Sequence, residues 1–269
     1  MEQLPGKDGP VFFAIANCAE KHGNWAAKTS APGPRALIND DLLIDMPPDN
    51  YLHKLYYGLD FSKVRTLIFT HSHSDHCLPA DLETLRDPFS HTYPGEMQVY
   101  GNDKVEQKVL AQVGNLGGEK RRFRFHRIMP NETIVQNPYT ITALRALHAK
   151  NETCLFYHIA CGEKAVLYAH DTGAFSAENI ETLKRSLHPL KLVSLDCTMQ
   201  SVRDGKNHMG LEDDAEQKEL LLREGLADEN TIFVLNHFSH NGGWLHDEIT
   251  ERAAKYDMIA AWDGMTVNF

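Results

Sequence analysis

No stretch of this chain approaches the roughly 20 consecutive apolar residues that a helix needs to cross a bilayer, so a membrane span is not expected. The apolar run from Val11 to Ala16 is too short, with its polar flanks, for the core of a signal peptide. Cysteine is scarce and unpaired in pattern. Cys18, Cys77, Cys154, Cys161 and Cys197 are odd in number, scattered and free of CxxC spacing. That excludes a disulfide frame and points to reduced thiols in a cytoplasm. Positive charge is also short. The net charge of -10 argues against an overall electrostatic grip on nucleic acid. Low-complexity linkers and repeats are missing too. With 42% apolar and 24% charged residues the chain has the make-up of an ordinary globule, and one domain over residues 1–269 is expected.

Histidine, at 15 residues, is plentiful, and its placement is not random. His71-Ser72-His73-Ser74-Asp75-His76 puts three histidines and an aspartate directly after the strand-like run Thr66-Leu67-Ile68-Phe69-Thr70. Residues two apart on an extended chain point the same way, so His71 and His73 can grip one metal ion together. Asp75 and His76 come as the chain turns and can serve a second ion. Neutral imidazole and carboxylate suit zinc, iron and manganese. A nickel-binding polar tract would not alternate in this way or follow a strand.

The periodicity predicts strands at Val11–Ala16, Val64–Phe69, Met97–Tyr100, Tyr139–Leu147, Leu192–Asp196, Thr231–Asn236 and, last, Met258–Trp262. Hairpins are expected at Arg35–Asp45, turning at Asn39-Asp40, and at Thr153–Ala169. Helices are expected at Leu52–Tyr57, Leu78–Leu85, Asp103–Val113, from Ser176 to His188-Pro189, at Glu212–Glu224 closed by Gly225, and at Leu245–Tyr256. Alternating helices and strands with several hairpins suit an α+β fold, two mixed sheets packed face to face with helices outside, an αββα sandwich.

Four of these strands end in a metal-type residue. One ends at His71, one at His148, one at His170-Asp171 and one at His237. Strands of one sheet end side by side, so residues far apart in sequence can converge there.

The His-x-His-x-Asp-His spelling and the series of strand ends resemble the metallo-β-lactamase superfamily over most of the chain. Two further stretches, Leu195-Asp196-Cys197-Thr198 followed by Asn207-His208-Met209-Gly210 and the ending Ala261-Trp262-Asp263-Gly264-Met265, resemble its PhnP-like cyclic phosphodiesterase and tRNase Z branch. The resemblance implies that His71, His73 and His148 hold one divalent ion, and that Asp75, His76 and His237 hold a second. Asp171 would bridge them, with His170 beside it the weaker candidate. Zinc or manganese is implied, with iron open. It further implies that Asp75 and Asp171 orient an activated water, and that His208 is a general acid or steadies a developing oxyanion. The activity implied is hydrolysis of a small-molecule or cyclic phosphodiester. A lactonase or thioesterase, an RNA-processing nuclease and a non-catalytic metal-binding protein are the alternatives, and a homodimer is left open.

There are departures. The phosphonate-operon enzymes carry an N-terminal Cys-x-Cys for a structural zinc, joined by a histidine three after the last ligand. Here His240 has that spacing, but only Cys18 and His22 stand near the N-terminus, and the structural zinc is expected to be lost. The tRNA-gripping arm of tRNase Z has no room, because His148 and Asp171 are 23 positions apart with one hairpin between. In the basic run Lys120–Arg127, Arg122, Arg124 and His126 alternate with Phe123 and Phe125, which reads as a half-buried strand with a solvated face. The loop Arg86–Gly95 reads as a surface loop or as pocket wall with His91 or Tyr93 on the substrate.

Overall fold

The structure, a computed structural model, describes residues 11–15, 35–85, 88–91, 93, 95–113 and 122–269. Two seven-stranded sheets form it. The first begins with β1 (Val11–Ile15), β2 (Arg35–Ile38) and β3 (Leu42–Ile44), paired antiparallel. It continues in parallel through β4 (Thr66–Ile68), β5 (Met97–Gly101) and β6 (Phe123–Arg127). The second sheet starts with the antiparallel strands β7 (Thr133–Gln136), β8 (Tyr139–Arg145), β9 (Leu155–Cys161) and β10 (Lys164–Ala169). It continues in parallel with β11 (Leu190–Asp196), β12 (Ile232–Asn236) and β13 (Ile259–Ala260). The last strand, β14 (Met265–Asn268), returns to the first sheet beside β1. The helices are α1 (Asn50–Tyr57), α2 (Asp103–Val113), α3 (Ala177–Leu183), α4 (Leu211–Arg223) and α5 (His246–Ala254). None of the described helices is long and apolar enough to cross a membrane.

Strand alternation divides the core. Ile38, Leu42, Ile44 and Ile68 face the second sheet and pack with Ile141, Phe156, Leu167 and Leu195. Leu43, Leu67 and Phe69 point the other way, onto Val105 and Val109 of α2. Burial on both faces explains why the β3 and β4 segments read as unbroken apolar runs.

Several expectations are corrected here. Pro79–Leu85 is a 3-10 helix and not an α-helix. α3 stops at Leu183, five residues short of His188. β7 and β14 are four-residue strands with alternating exposure, too short and polar to stand out in sequence. The Asn39-Asp40 turn is as expected, with both residues at positive φ (51° and 70°) as tight hairpin turns favour, and Asp41 completes the loop between the paired Ile38 and Leu42.

The topology places the chemistry. β3 and β4 lie side by side in the first sheet, and β10, β11 and β12 in the second. Asp196 ends β11, and just beyond the carboxyl ends of the other strands stand Asp45, His71, Asp171 and His237. The convergence therefore spans both sheets and not one, as the strand-end argument supposed. Contacts between the sheets hold the two halves in register: the Tyr157 hydroxyl donates to Phe69 O at 2.6 Å, and Leu155 N donates to Thr70 O at 2.9 Å.

Candidate metal centre

The loop after β4 is fixed by its own backbone. His76 N and Cys77 N donate to His73 O at 3.1 and 2.8 Å, closing a turn, and Met46 N donates to His76 O at 2.7 Å. The turn folds His71, His73, Asp75 and His76 around one point. At three strand ends the chain adopts the left-handed region, at Asp45 (φ 62°), Asp171 (φ 50°) and His237 (φ 61°). Non-glycine residues populate that region sparsely, and all three side chains meet His76 of the loop.

His71, His73 and His148 form one set whose ligand atoms lie within 4.8 Å of one another, and Asp75, His76 and His237 form another. His148 Nε2 is 3.1 Å from His73 Nδ1, and His76 Nε2 is 3.1 Å from His237 Nε2. Asp171 lies between the sets. Its Oδ1 is 3.7 Å from His148 Nε2, while its Oδ2 touches His76 Nε2 and is 3.2 Å from His237 Nε2. The structure thus brings together all seven residues of the expected ligand set. Asp75 is half exposed, with Oδ2 3.7 Å from His76 Nε2.

The tautomers follow from the outer partners. His76 Nδ1 donates to Asp45 Oδ2 at 2.8 Å, because a carboxylate only accepts. Thr198 Oγ1 donates to His237 O, so it accepts from His237 Nδ1 at 2.7 Å. Thr70 Oγ1 donates to Asp45 and so accepts from His71 Nδ1 at 3.0 Å. His148 Nδ1 donates to Asn207 O at 3.3 Å. In the neutral rings of these four histidines the lone pair therefore sits on Nε2, turned inward.

This donor set fits divalent ions. Nitrogens sharing a tetrahedral ion at about 2.0–2.1 Å stand roughly 3.3 Å apart, near the spacings observed. His71 Nε2 is buried without a hydrogen-bond partner, as the donor atom of a metal ligand would be.

The electrostatics agree. Burial holds the His71 imidazole well below its usual pKa and lowers that of His148, which keeps them neutral. Burial would also depress His76 and His237, but the Asp171 carboxylate overturns it, helped by Asp45 at His76 and by Asp196 at His237, and raises both. Asp171 itself would be raised by burial, yet His237 and His76 hold it well below the usual carboxylate range. The centre stabilises positive charge, and protons and metal compete for the same nitrogens.

His208 stands at the edge of the centre, its side chain 24% exposed. Its Nδ1 donates to Asp196 Oδ2 at 3.0 Å and lies 3.5 Å from Asp171 Oδ1, and its ring is 4.8 Å from that of His148. Asp196 is buried and also accepts from Asp171 N at 2.7 Å and Thr198 N at 2.9 Å. Asp196, Asp45, Thr70 and Thr198 hold the histidines of the candidate centre, and sequence reasoning gave none of them a role. Asp45 and Asp196 carried the same strand-end signal as the ligands.

Other candidates lie elsewhere. His170 turns away, with Nε2 2.7 Å from Ser194 Oγ and its ring 4.0 Å from Tyr168. His240 is exposed in a short 3-10 turn, and Cys18 and His22 lie outside the described residues. Tyr93 is buried, its hydroxyl donating to Val64 O at 2.7 Å, so it is a packing residue, while His91 is exposed. Lys120 and Arg121 lie outside the described residues. On the face expected to be solvated Arg124 is exposed and pairs with Glu96, and opposite it Phe123 is buried, while Arg127, at the end of the strand, pairs with Glu106.

A family profile described as the beta-lactamase superfamily domain matches residues 42–227. The chain belongs to the metallo-β-lactamase superfamily. No curated protein matches it. Among solved structures it is similar to a diphosphatase from the PhnP family, with 20% identity, TM-score 0.70 and coverage of 97% of this chain and 98% of that one. It is also similar to the metallo-beta-lactamase fold protein YhfI from Bacillus subtilis, with 20% identity, TM-score 0.68 and coverage of 97% and 100%. The short form of human tRNase Z matches at 13% identity and TM-score 0.68, with coverage of 97% and 99%. At such identities these structures establish the fold.

Proposed function

We propose that this chain is a metal-dependent hydrolase of small or cyclic phosphodiesters. His71, His73 and His148 would hold one divalent ion and Asp75, His76 and His237 another, with Asp171 between them. Bound there, such ions supply an acidified water and a Lewis acid for the phosphoryl oxygens.

The chain's own residues supply the rest. Asp45, Thr70 and Thr198 fix the orientation of the ligand imidazoles through their Nδ1 atoms. Half-exposed Asp75 stands on the open side, where it can orient a water. The observation that carries the phosphodiester reading is His208. Asp196 holds its Nδ1, which leaves Nε2 as the nitrogen available to donate a proton to a leaving alkoxide. A general acid contributes typically about 10²–10⁴-fold. The names of two structural neighbours, a diphosphatase and a tRNase, support phosphoryl chemistry. A small phosphodiester, as against an RNA, is favoured by the single hairpin between His148 and Asp171 and by the net charge of -10.

The test is turnover of bis(p-nitrophenyl) phosphate with added Mn²⁺ or Zn²⁺, beside a lactone panel and a precursor tRNA. Selective hydrolysis of the phosphodiester is expected. Hydrolysis of lactones without phosphodiester turnover would overturn the reading.

A further inference from the structure

The middle residue of the His71-Ser72-His73 segment has no role as a ligand, yet every polar group it carries is engaged. Ser72 N donates to Glu152 Oε1 at 2.7 Å, and Ser72 Oγ donates to Glu152 Oε2 at 2.6 Å. Ser72 O accepts from Lys108 Nζ at 2.8 Å. Glu152 is held in turn. Asn102 Nδ2 donates to Glu152 Oε1 at 2.7 Å and to Thr153 O at 2.8 Å, while Asn102 Oδ1 accepts from Val105 N at 2.9 Å at the start of α2. Asn102 is fully buried.

The place of Glu152 gives these contacts a consequence. It lies four residues after His148, in the segment joining β8 and β9. The base of that segment is closed by Ala146 N donating to Cys154 O at 2.9 Å. One side chain therefore ties the segment that carries His148 to the peptide between His71 and His73. The helix α2 braces the tie from a third side through Asn102 and Lys108.

We propose that Glu152 is a positioning residue that sets His71, His73 and His148 at the spacing needed for one ion, while leaving His76 and His237 to their own supports. The proposal rests on the reading of those three histidines as one ion's ligands. Its chemistry is specific. A carboxylate only accepts, and all three of its partners donate. Glutamine can reproduce the arrangement, with Oε1 accepting from Ser72 N and Asn102 Nδ2 and with Nε2 donating to Ser72 Oγ, since a hydroxyl can also accept. Alanine cannot, and it leaves the Ser72 amide without its acceptor.

The experiment titrates metal-stripped wild type, Glu152→Ala, Glu152→Gln and His148→Ala with Co²⁺, followed by visible absorption and calorimetry. Two binding phases are expected in wild type, and the phase lost in His148→Ala identifies the ion held by that histidine. Glu152→Ala should weaken that same phase by roughly 10–100-fold, the usual effect of removing an outer partner of a ligand, and leave the other phase unchanged. Glu152→Gln should keep both. Three results would overturn the proposal: wild-type affinities in Glu152→Ala, equal weakening of both phases, or a Glu152→Gln variant as weak as alanine, which would make the effect one of charge. Should Glu152→Ala fail to fold, Ser72→Ala removes one hydroxyl only. It should weaken the same phase by less, and wild-type binding there would overturn the proposal equally. A wild type that binds no ion would instead remove the metal-centre reading itself.

Discussion

At the scale of single residues, the centre works by opposition. Four imidazoles are pinned outward through Nδ1 and offer Nε2 inward, and one carboxylate, Asp171, presents an oxygen toward each set. Asp171→Ala removes the group common to both sets, so turnover should fall to background while the circular dichroism spectrum is kept. Wild-type rates with metal in excess would contradict this. His208→Ala should keep the metal and lose roughly 10²-fold or more in kcat with a poor leaving group. The loss should shrink with p-nitrophenolate, which departs with little protonation. An equal loss with both would assign His208 to oxyanion binding. The candidate ligands were legible in sequence because six residues concentrate four of them after a strand. Asp45 and Asp196 were not, because a single aspartate at a strand end also reads as a turn former. Their meaning lies in His76 and His208, which pair with them only in the fold.

At the scale of elements, the legible parts were those with their own local chemistry. The Asn39-Asp40 hairpin, α2 and the Ser176 cap, whose hydroxyl accepts from Asn179 N at 3.2 Å, follow from residue types alone. Of the two missed strands, β14 is fixed by β1 at the other end of the chain, and β7 is a short edge strand in a local hairpin with β8 whose alternating exposure leaves little apolar signal. The end of α4 offers a clean test. Gly225 has φ 70°, and a Cβ there would meet open space. Gly225→Ala should therefore cost conformational strain alone, roughly 1–2 kcal/mol, read as a shift in urea midpoint at constant slope. No shift would mean that the turn relaxes.

At the scale of the molecule, two sheets form the sandwich, the candidate centre draws residues from both, and pH acts on the fold through buried histidines. His158 gives that linkage a site apart from the centre. It is buried on β9, and burial lowers its pKa from 6.5 to about 4. The folded state favours the neutral ring, so its contribution is complete above the unfolded value of 6.5 and is lost as pH falls toward 4. His158→Gln should flatten the stability profile over that window by on the order of 3 kcal/mol at most; parallel profiles would contradict the assignment. The central claim is that the converging strand ends hold a pair of divalent ions. Elemental analysis of protein purified without chelators, before and after reconstitution, tests it most directly. The account predicts about two ions per chain, as in two-metal hydrolytic sites. Fewer than about one, with no gain on reconstitution, would contradict it.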